Sequence, residues 1–418
     1  MDDYPKPLQD RAMDLLFSRT DGIGLSIFRY NVPVGGGEEI RLSDRKTATV
    51  EVSPGEFDLS RDSVALGFLK GAKDRGVEHF VFFVCSPPGR MTRNGLTSGG
   101  ADGGSNLNPA DRDDFARYLL DYSNLVRETY ELPQVAVSPL NEPQWEWGKN
   151  DRRQEGCAYT PEEAARLVRE VVKQNVRRDL GFYIEAPEPG DWASAMPYAT
   201  ALFQDPIINT HIDQLAIHSY WTTPQQREKA VRTLREHFPD KDFAMTEYCQ
   251  MQAGHDKNIE SGLEMAEVIH LDLTVADVVS WQWWLGISGG NYKDGLIYCV
   301  SGDDEVEPTK RLWVLGQWSR FVRPGETRVS VTANDERLQV TSFISSDGGR
   351  LTTVIVNGGN ESIDVELRGE FDDKSESAWV TDRTRDLEPM AVVAGRLQLS
   401  PQSVTTVVQV QDGPAAGR

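Results

Sequence analysis

The sequence predicts an α/β chain built as a (β/α)8 TIM barrel followed by an all-β sandwich, and three observations carry that prediction. Short apolar runs rich in β-branched residues alternate with helix-period segments through the first three-quarters of the chain. From about residue 320 the helical period gives way to short alternating strands separated by turn residues. Two of the earlier apolar runs also end alike, delivering a glutamate: Val135-Ala136-Val137-Ser138-Pro139-Leu140-Asn141-Glu142 and Phe243-Ala244-Met245-Thr246-Glu247. The expected domains are a barrel over 1–319, a sandwich over 320–412 and a disordered tail over 413–418. At 418 residues the chain has room for both a barrel, typically about 250 residues, and a smaller partner.

In chain order, the first ten residues are polar and carry Pro5 and Pro7, which predicts an extended lead-in before a short amphipathic helix over 11–18. Strand-like runs follow at 24–30, 79–85, 134–140, 182–186, 214–218, 243–246 and 278–284. The clearest helix start between them is Thr160-Pro161-Glu162-Glu163: an N-cap threonine, proline at the first helical position and a glutamate three residues after the cap. Asn108-Pro109-Ala110-Asp111 opens a second helix running towards Tyr130. Only seven barrel strands are visible, so the first strand of an eight-stranded barrel is read as missing or missed, and an open strand edge there would need covering. Gly35-Gly36-Gly37 and the glycines of 99–104 lack the spacing of a phosphate-binding loop and are read as turns. Strands at 328–332, 338–344, 351–357, 362–367, 378–381, 396–399 and 403–410, with turns such as Asp347-Gly348-Gly349, predict the sandwich.

Composition narrows the function. A net charge of −21 and a pI near 4.8 disfavour phosphate backbones and anionic membrane surfaces, so neither nucleic acid nor membrane is expected as a partner. No apolar run approaches the roughly 20 residues a membrane span needs. Cys85, Cys157, Cys249 and Cys299 are dispersed and read as buried free thiols, with one bridge left open. The six histidines form no HExxH, so neither a catalytic metal nor any cofactor is expected. Asp2, Asp3, Pro5 and Pro7 occupy the place of a signal peptide's apolar region. That predicts a cytoplasmic protein if Met1 is the true start, and leaves secretion open if it is not.

Strand exits on one face of a barrel bring distant residues together, so Glu142 and Glu247 are the candidate catalytic pair. Two facing carboxyls, one protonated and one ionised, are what glycoside hydrolysis requires, at about 5–5.5 Å for the retaining mechanism. Arg29 is the candidate for holding the nucleophile ionised. His218 and Tyr220 lie two apart on one strand and share a face. Trp145, and Trp283 in Ser280-Trp281-Gln282-Trp283-Trp284, offer aromatic surfaces for a sugar. Glu185 and Glu188, with Trp192 behind them, are competing carboxylates read as sugar-binding or structural.

These motifs resemble glycoside hydrolase family 30. The resemblance runs through Phe28-Arg29-Tyr30-Asn31, Cys85-Ser86-Pro87-Pro88 with Met91-Thr92, Asn141-Glu142-Pro143, His218-Ser219-Tyr220, Thr246-Glu247-Tyr248 and Trp281-Gln282-Trp283-Trp284, and continues into the closing strands. It implies a retaining hydrolase with Glu142 as acid/base, Glu247 as nucleophile, Asn141 on the sugar 2-hydroxyl and Arg29 beside the nucleophile. It also implies an oligosaccharide or polysaccharide substrate. Gln144-Trp145-Glu146-Trp147 and Gln154-Glu155-Gly156-Cys157 are most similar to the endo-β-1,6-galactanase group. The alternatives are an exo-acting β-glucosidase, β-xylosidase or β-fucosidase type, or a non-catalytic carbohydrate-binding protein.

Overall fold

The structure, a computed structural model, describes residues 4–42, 45–150, 153–299, 305–369, 371 and 375–411; the tail expected over 413–418 lies outside them. The chain divides into two compact units, Ile27–Tyr248 with Val275–Gln282, and Met1–Ser26 with Cys249–Thr274 and Trp283–Arg418.

The first of these is an α/β unit built on seven parallel strands: β1 (Ile27–Asn31), β2 (His79–Phe83), β3 (Gln134–Ser138), β4 (Tyr183–Ile184), β5 (Gln214–His218), β6 (Asp242–Glu247) and β7 (Val278–Trp281). They pair in chain order, β1 to β4 in one sheet and β5 to β7 in another. A parallel bridge between Pro187 and Ala216 carries the arc across from β4 to β5. Among the described residues no strand joins β7 back to β1. The expected (β/α)8 barrel, read with its first strand missing or missed, is therefore corrected among the described residues to an open arc of seven parallel strands: closure needs one more ladder, and no described strand precedes β1. Strand cores are aliphatic and aromatic, as parallel strands covered on both faces demand: Phe80, Phe82 and Phe83 in β2, and Phe243, Ala244 and Met245 in β6, are buried.

Helices return the chain between strands: α2 (Ser63–Asp74), α3 (Arg112–Tyr130), α4 (Pro161–Arg177), α5 (Ala195–Phe203), α6 (Pro206–His211) and α7 (Pro224–His237). The box expected at the start of α4 is present: Thr160 Oγ1 accepts from the Glu163 amide at 3.2 Å, and the Glu163 carboxylate accepts from the Thr160 amide at 3.0 Å. Asn108 accepts from the Ala110 amide and starts a 3-10 turn, Pro109–Asp111, that runs directly into α3.

In the other unit, α1 spans Lys6–Phe17. It starts where an extended lead-in was expected, because Pro5 stands at the cap and Pro7 within the first turn, where a missing amide hydrogen costs nothing. Here too belong α8 (Ile259–Leu271) and α9 (Lys310–Ser319). The C-terminal strands are β8 (Thr327–Val329), β9 (Leu338–Ile344), β10 (Arg350–Asn357), β11 (Ile363–Glu366), β12 (Ser375–Thr381), β13 (Glu388–Met390), β14 (Arg396–Leu399) and β15 (Ser403–Val410). Six form an antiparallel sheet in the order β8-β9-β10-β15-β12-β13, and β11 pairs with β14 as a ribbon. Sheet and ribbon bury Ile355, Ala378, Leu397, Leu399 and Val407 together. The short strand β13 was not foreseen, since Glu388-Pro389-Met390 has no alternation. All four cysteines are buried free thiols, as the dispersed spacing suggested.

Candidate active site

The α/β unit gathers its polar side chains where β1, β3, β5 and β6 end. Arg29 projects from β1 with its guanidinium carbon over the Phe83 ring, 3.7 Å from its centroid. Its Nη1 donates to Glu247 Oε2 at 2.5 Å and its Nη2 to Asn141 Oδ1 at 3.3 Å. Tyr220 Oη donates to the other Glu247 oxygen at 3.0 Å. Both oxygens of Glu247 are thus engaged by donors, one of them permanently charged.

Glu142 faces this carboxylate. Oxygen and ring-nitrogen atoms of Glu142, His218 and Glu247 lie within 4.8 Å of one another. Glu142 holds a left-handed backbone, φ 46°, rare for a non-glycine residue and typical of strained functional positions. Its amide donates to the Glu188 carbonyl at 2.9 Å and its own carbonyl accepts from Trp147 Nε1 at 3.0 Å, which fixes that turn. Burial raises the pKa of its carboxyl above the ordinary value, against the neighbouring His218 and Trp145, which oppose the rise.

The centre of the network is Glu188, fully buried. It accepts from Ser138 Oγ at 2.9 Å and from Thr246 Oγ1, pairs with His218 Nε2 at 3.0 Å, and lies 3.7 Å from Arg29 Nη2. Burial favours its neutral form, but Arg29, His218 and Thr246 outweigh burial and hold the carboxyl at about 2. His218 answers in the opposite sense. Burial disfavours its charge, yet Glu247, Glu142 and Glu188 push it up to about 9, so the imidazole is a cation at neutral pH. Its Nδ1 faces Glu142 Oε1 at 3.5 Å and Glu247 Oε1 at 3.8 Å. One buried cation therefore touches three carboxylates.

Of the residues singled out from sequence, Arg29, Asn141, Glu142, Trp145, His218, Tyr220 and Glu247 all belong to this unit and converge on β-strand exits. Trp283 falls in the other unit, where its Nε1 donates to the Asp294 carbonyl at 2.6 Å. Glu185 and Glu188, paired in the sequence reading, separate by environment. Glu185 accepts from Gln214 Nε2 at 3.1 Å and is pushed up to about 8 by burial and by the negative charge of Glu188. Trp192 lies buried, its Nε1 donating to Ser219 Oγ at 2.8 Å.

The sequence reading missed Glu188 as an organising residue; its only signal was Pro187-Glu188-Pro189-Gly190 after a very short strand. It also missed Gly190. A β-carbon there would meet Gln144 Nε2 at 2.6 Å and Glu142 Oε1 at 2.8 Å, so only glycine leaves the Glu142 carboxyl its place. Glu155 is buried away from its motif partners, accepts from the Thr47 amide and hydroxyl at 3.0 and 2.8 Å, and is pushed up to about 7 by burial.

The chain is 25% identical over 308 residues to glucuronoxylanase XynC of Bacillus subtilis, and 22% identical over 326 residues to an endo-beta-1,6-galactanase of Hypocrea rufa. These matches cover 70% and 77% of the chain, but 65% and 64% of the two relatives, slightly less than two thirds of their length. In three dimensions it resembles a conserved exported protein from Bacteroides fragilis, with a TM-score of 0.86, 25% identity and coverage of 97% of this chain and 94% of that one. Residues 8–298 match the model of O-glycosyl hydrolase family 30, and the chain belongs to that family.

Proposed function

We propose that the protein is a retaining glycoside hydrolase of β-linked glycans. The observation that carries the proposal is the facing of Glu142 and Glu247 carboxyl oxygens within 4.8 Å, a spacing close to that of retaining enzymes and too short to seat an attacking water between the two groups. Their environments differ as the mechanism requires: burial favours the protonated form of Glu142, whereas Arg29 and Tyr220 donate to both oxygens of Glu247. In the first step a Glu247 oxygen bonds to the anomeric carbon, the glycosidic C–O bond breaks, and the Glu142 proton passes to the departing oxygen. In the second, Glu142 takes a proton from water, whose oxygen displaces Glu247. In this reading Asn141, whose Oδ1 accepts from Arg29, donates to the sugar 2-hydroxyl. The chemistry asks for no metal or organic cofactor.

Galactose-containing β-1,6-glycan is the preferred substrate, supported by the Gln144-Trp145-Glu146-Trp147 motif and by likeness to the Hypocrea rufa enzyme. The likeness to XynC supports β-xylan as the second substrate to try. The deciding experiment incubates purified protein with β-1,6-galactan and with glucuronoxylan, reading products by thin-layer chromatography and their first-formed anomer by NMR. Galactobiose and longer fragments of retained configuration are expected. Glu247→Gln should abolish turnover while sugar binding survives; persisting turnover would remove Glu247 as nucleophile.

No helix among the described residues is long and apolar enough to cross a membrane.

A further inference from the structure

Trp221 follows Tyr220 at the exit of β5, and nothing about burial explains it. Its backbone is left-handed, φ 47°, a region that bulky side chains rarely enter unless the surroundings hold them there for a purpose. Yet 56% of its surface is open to solvent. Its ring meets that of Trp145 edge to face, centroids 5.4 Å apart and planes at 87°, and Trp145 is itself 38% exposed. Two indoles held this way are displayed as surface, not spent in a core.

The pair is joined to the chemistry at one point. A β-carbon placed on Gly190 would meet Glu142 Oε1 at 2.8 Å and Trp145 Nε1 at 3.1 Å, so the Trp145 indole lies beside the Glu142 carboxyl, the group that delivers a proton to the departing oxygen. Trp145 and Trp221 thus present exposed aromatic surface next to that carboxyl. On the other flank Tyr220, whose hydroxyl holds Glu247, packs its ring 5.2 Å from Trp221, so the wall is continuous with the nucleophile's own support.

We propose that Trp221, braced by Trp145, forms a leaving-group site that takes a neutral pyranose ring stacked on its indole. The favoured substrate is then a glycan whose departing portion is itself a sugar. This rests on the retaining-hydrolase reading of Glu142.

The test compares wild type, Trp221→Ala and Trp221→Phe on β-1,6-galactotetraose and β-1,4-xylotetraose, each against the matching β-glycosyl fluoride, whose leaving group has no ring to stack. In Trp221→Ala the ratio of kcat/KM on tetrasaccharide to that on fluoride should fall about tenfold, and in Trp221→Phe by about threefold or less. An unchanged ratio, whether both activities persist or both fall together, overturns the proposal. Wild-type protein inactive on every substrate would instead overturn the hydrolase reading. In that case calorimetric titration of tetrasaccharide into Glu247→Gln, with and without Trp221→Ala, still reads the stack: equal affinities refute it.

Discussion

Replacing Glu188 by Gln removes one negative charge from the buried network while keeping its volume. In the wild type His218 stands at about 9 against an ordinary 6.5, although burial opposes its charge. At about 1.4 kcal/mol per pH unit, that gap is a net preference of roughly 3 kcal/mol for the cation after burial is overcome. It is supplied by Glu247, Glu142 and Glu188, and only Glu188 lies at ordinary hydrogen-bond length, 3.0 Å against 3.5 and 3.8 Å. Because the three carboxyls must also overcome burial, an even share for Glu188 is at least roughly one pH unit, so His218 in the variant should titrate at about 8 or below. The assay is a ¹⁵N NMR titration of the histidine rings between pH 5 and 10 in both proteins. A base with a raised folded-state pKa contributes stability that is fully present below its unfolded value, 6.5 here, and lost as pH rises through about 9. Chemical denaturation should therefore show the His218-linked difference between the proteins at pH 6 and its disappearance by pH 9 to 10. If His218 titrates at the same pH in both proteins, or near 6.5 in the wild type, the account of the network is refuted.

Gly190→Ala should cost at least about tenfold in kcat/KM, because the added carbon presses on Gln144 and Glu142, with little change in the melting temperature; full activity would show that the carboxyl has room to move. Glu155→Gln should stabilise the protein on the alkaline side. A carboxyl whose folded pKa is raised from 4.5 to about 7 withdraws roughly 3 kcal/mol of stability as pH rises between those values, and the neutral amide does not. Denaturation at pH 4 and pH 8 checks it: the advantage should be present at pH 8 and absent at pH 4. Thr160→Ala removes one half of the α4 box and should lower stability by about 1 kcal/mol in urea while leaving kcat unchanged.

Local rules made much of this chain legible. Thr160 to Glu163 specified a helix start because a cap depends only on residues within one turn, and the seven runs from 24–30 to 278–284 read as strands because alternation and β-branching are local. Glu142 and Glu247 stood out in the same way, each as a polar end to an apolar run. The antiparallel strands beyond residue 320 announced themselves through their turn residues. The prolines of the first ten residues misled, because Pro5 and Pro7 are compatible with a helix start as well as with an extended segment.

Whether an arc of strands closes is a property of all its ladders together, so no single run could reveal that β1 and β7 lack a common neighbour among the described residues. The same holds for Glu188. In the sequence it is one carboxylate of two beside a short strand; only the fold places Arg29, Ser138, His218 and Thr246 around it. By itself the sequence determined which strands form and which two carboxylates end them, since propensity and pattern act between neighbours. The tertiary structure decided what surrounds each carboxyl, because the burial of Glu142 and the pairing of Glu247 with Arg29, 218 positions away, depend on strands far apart in the chain.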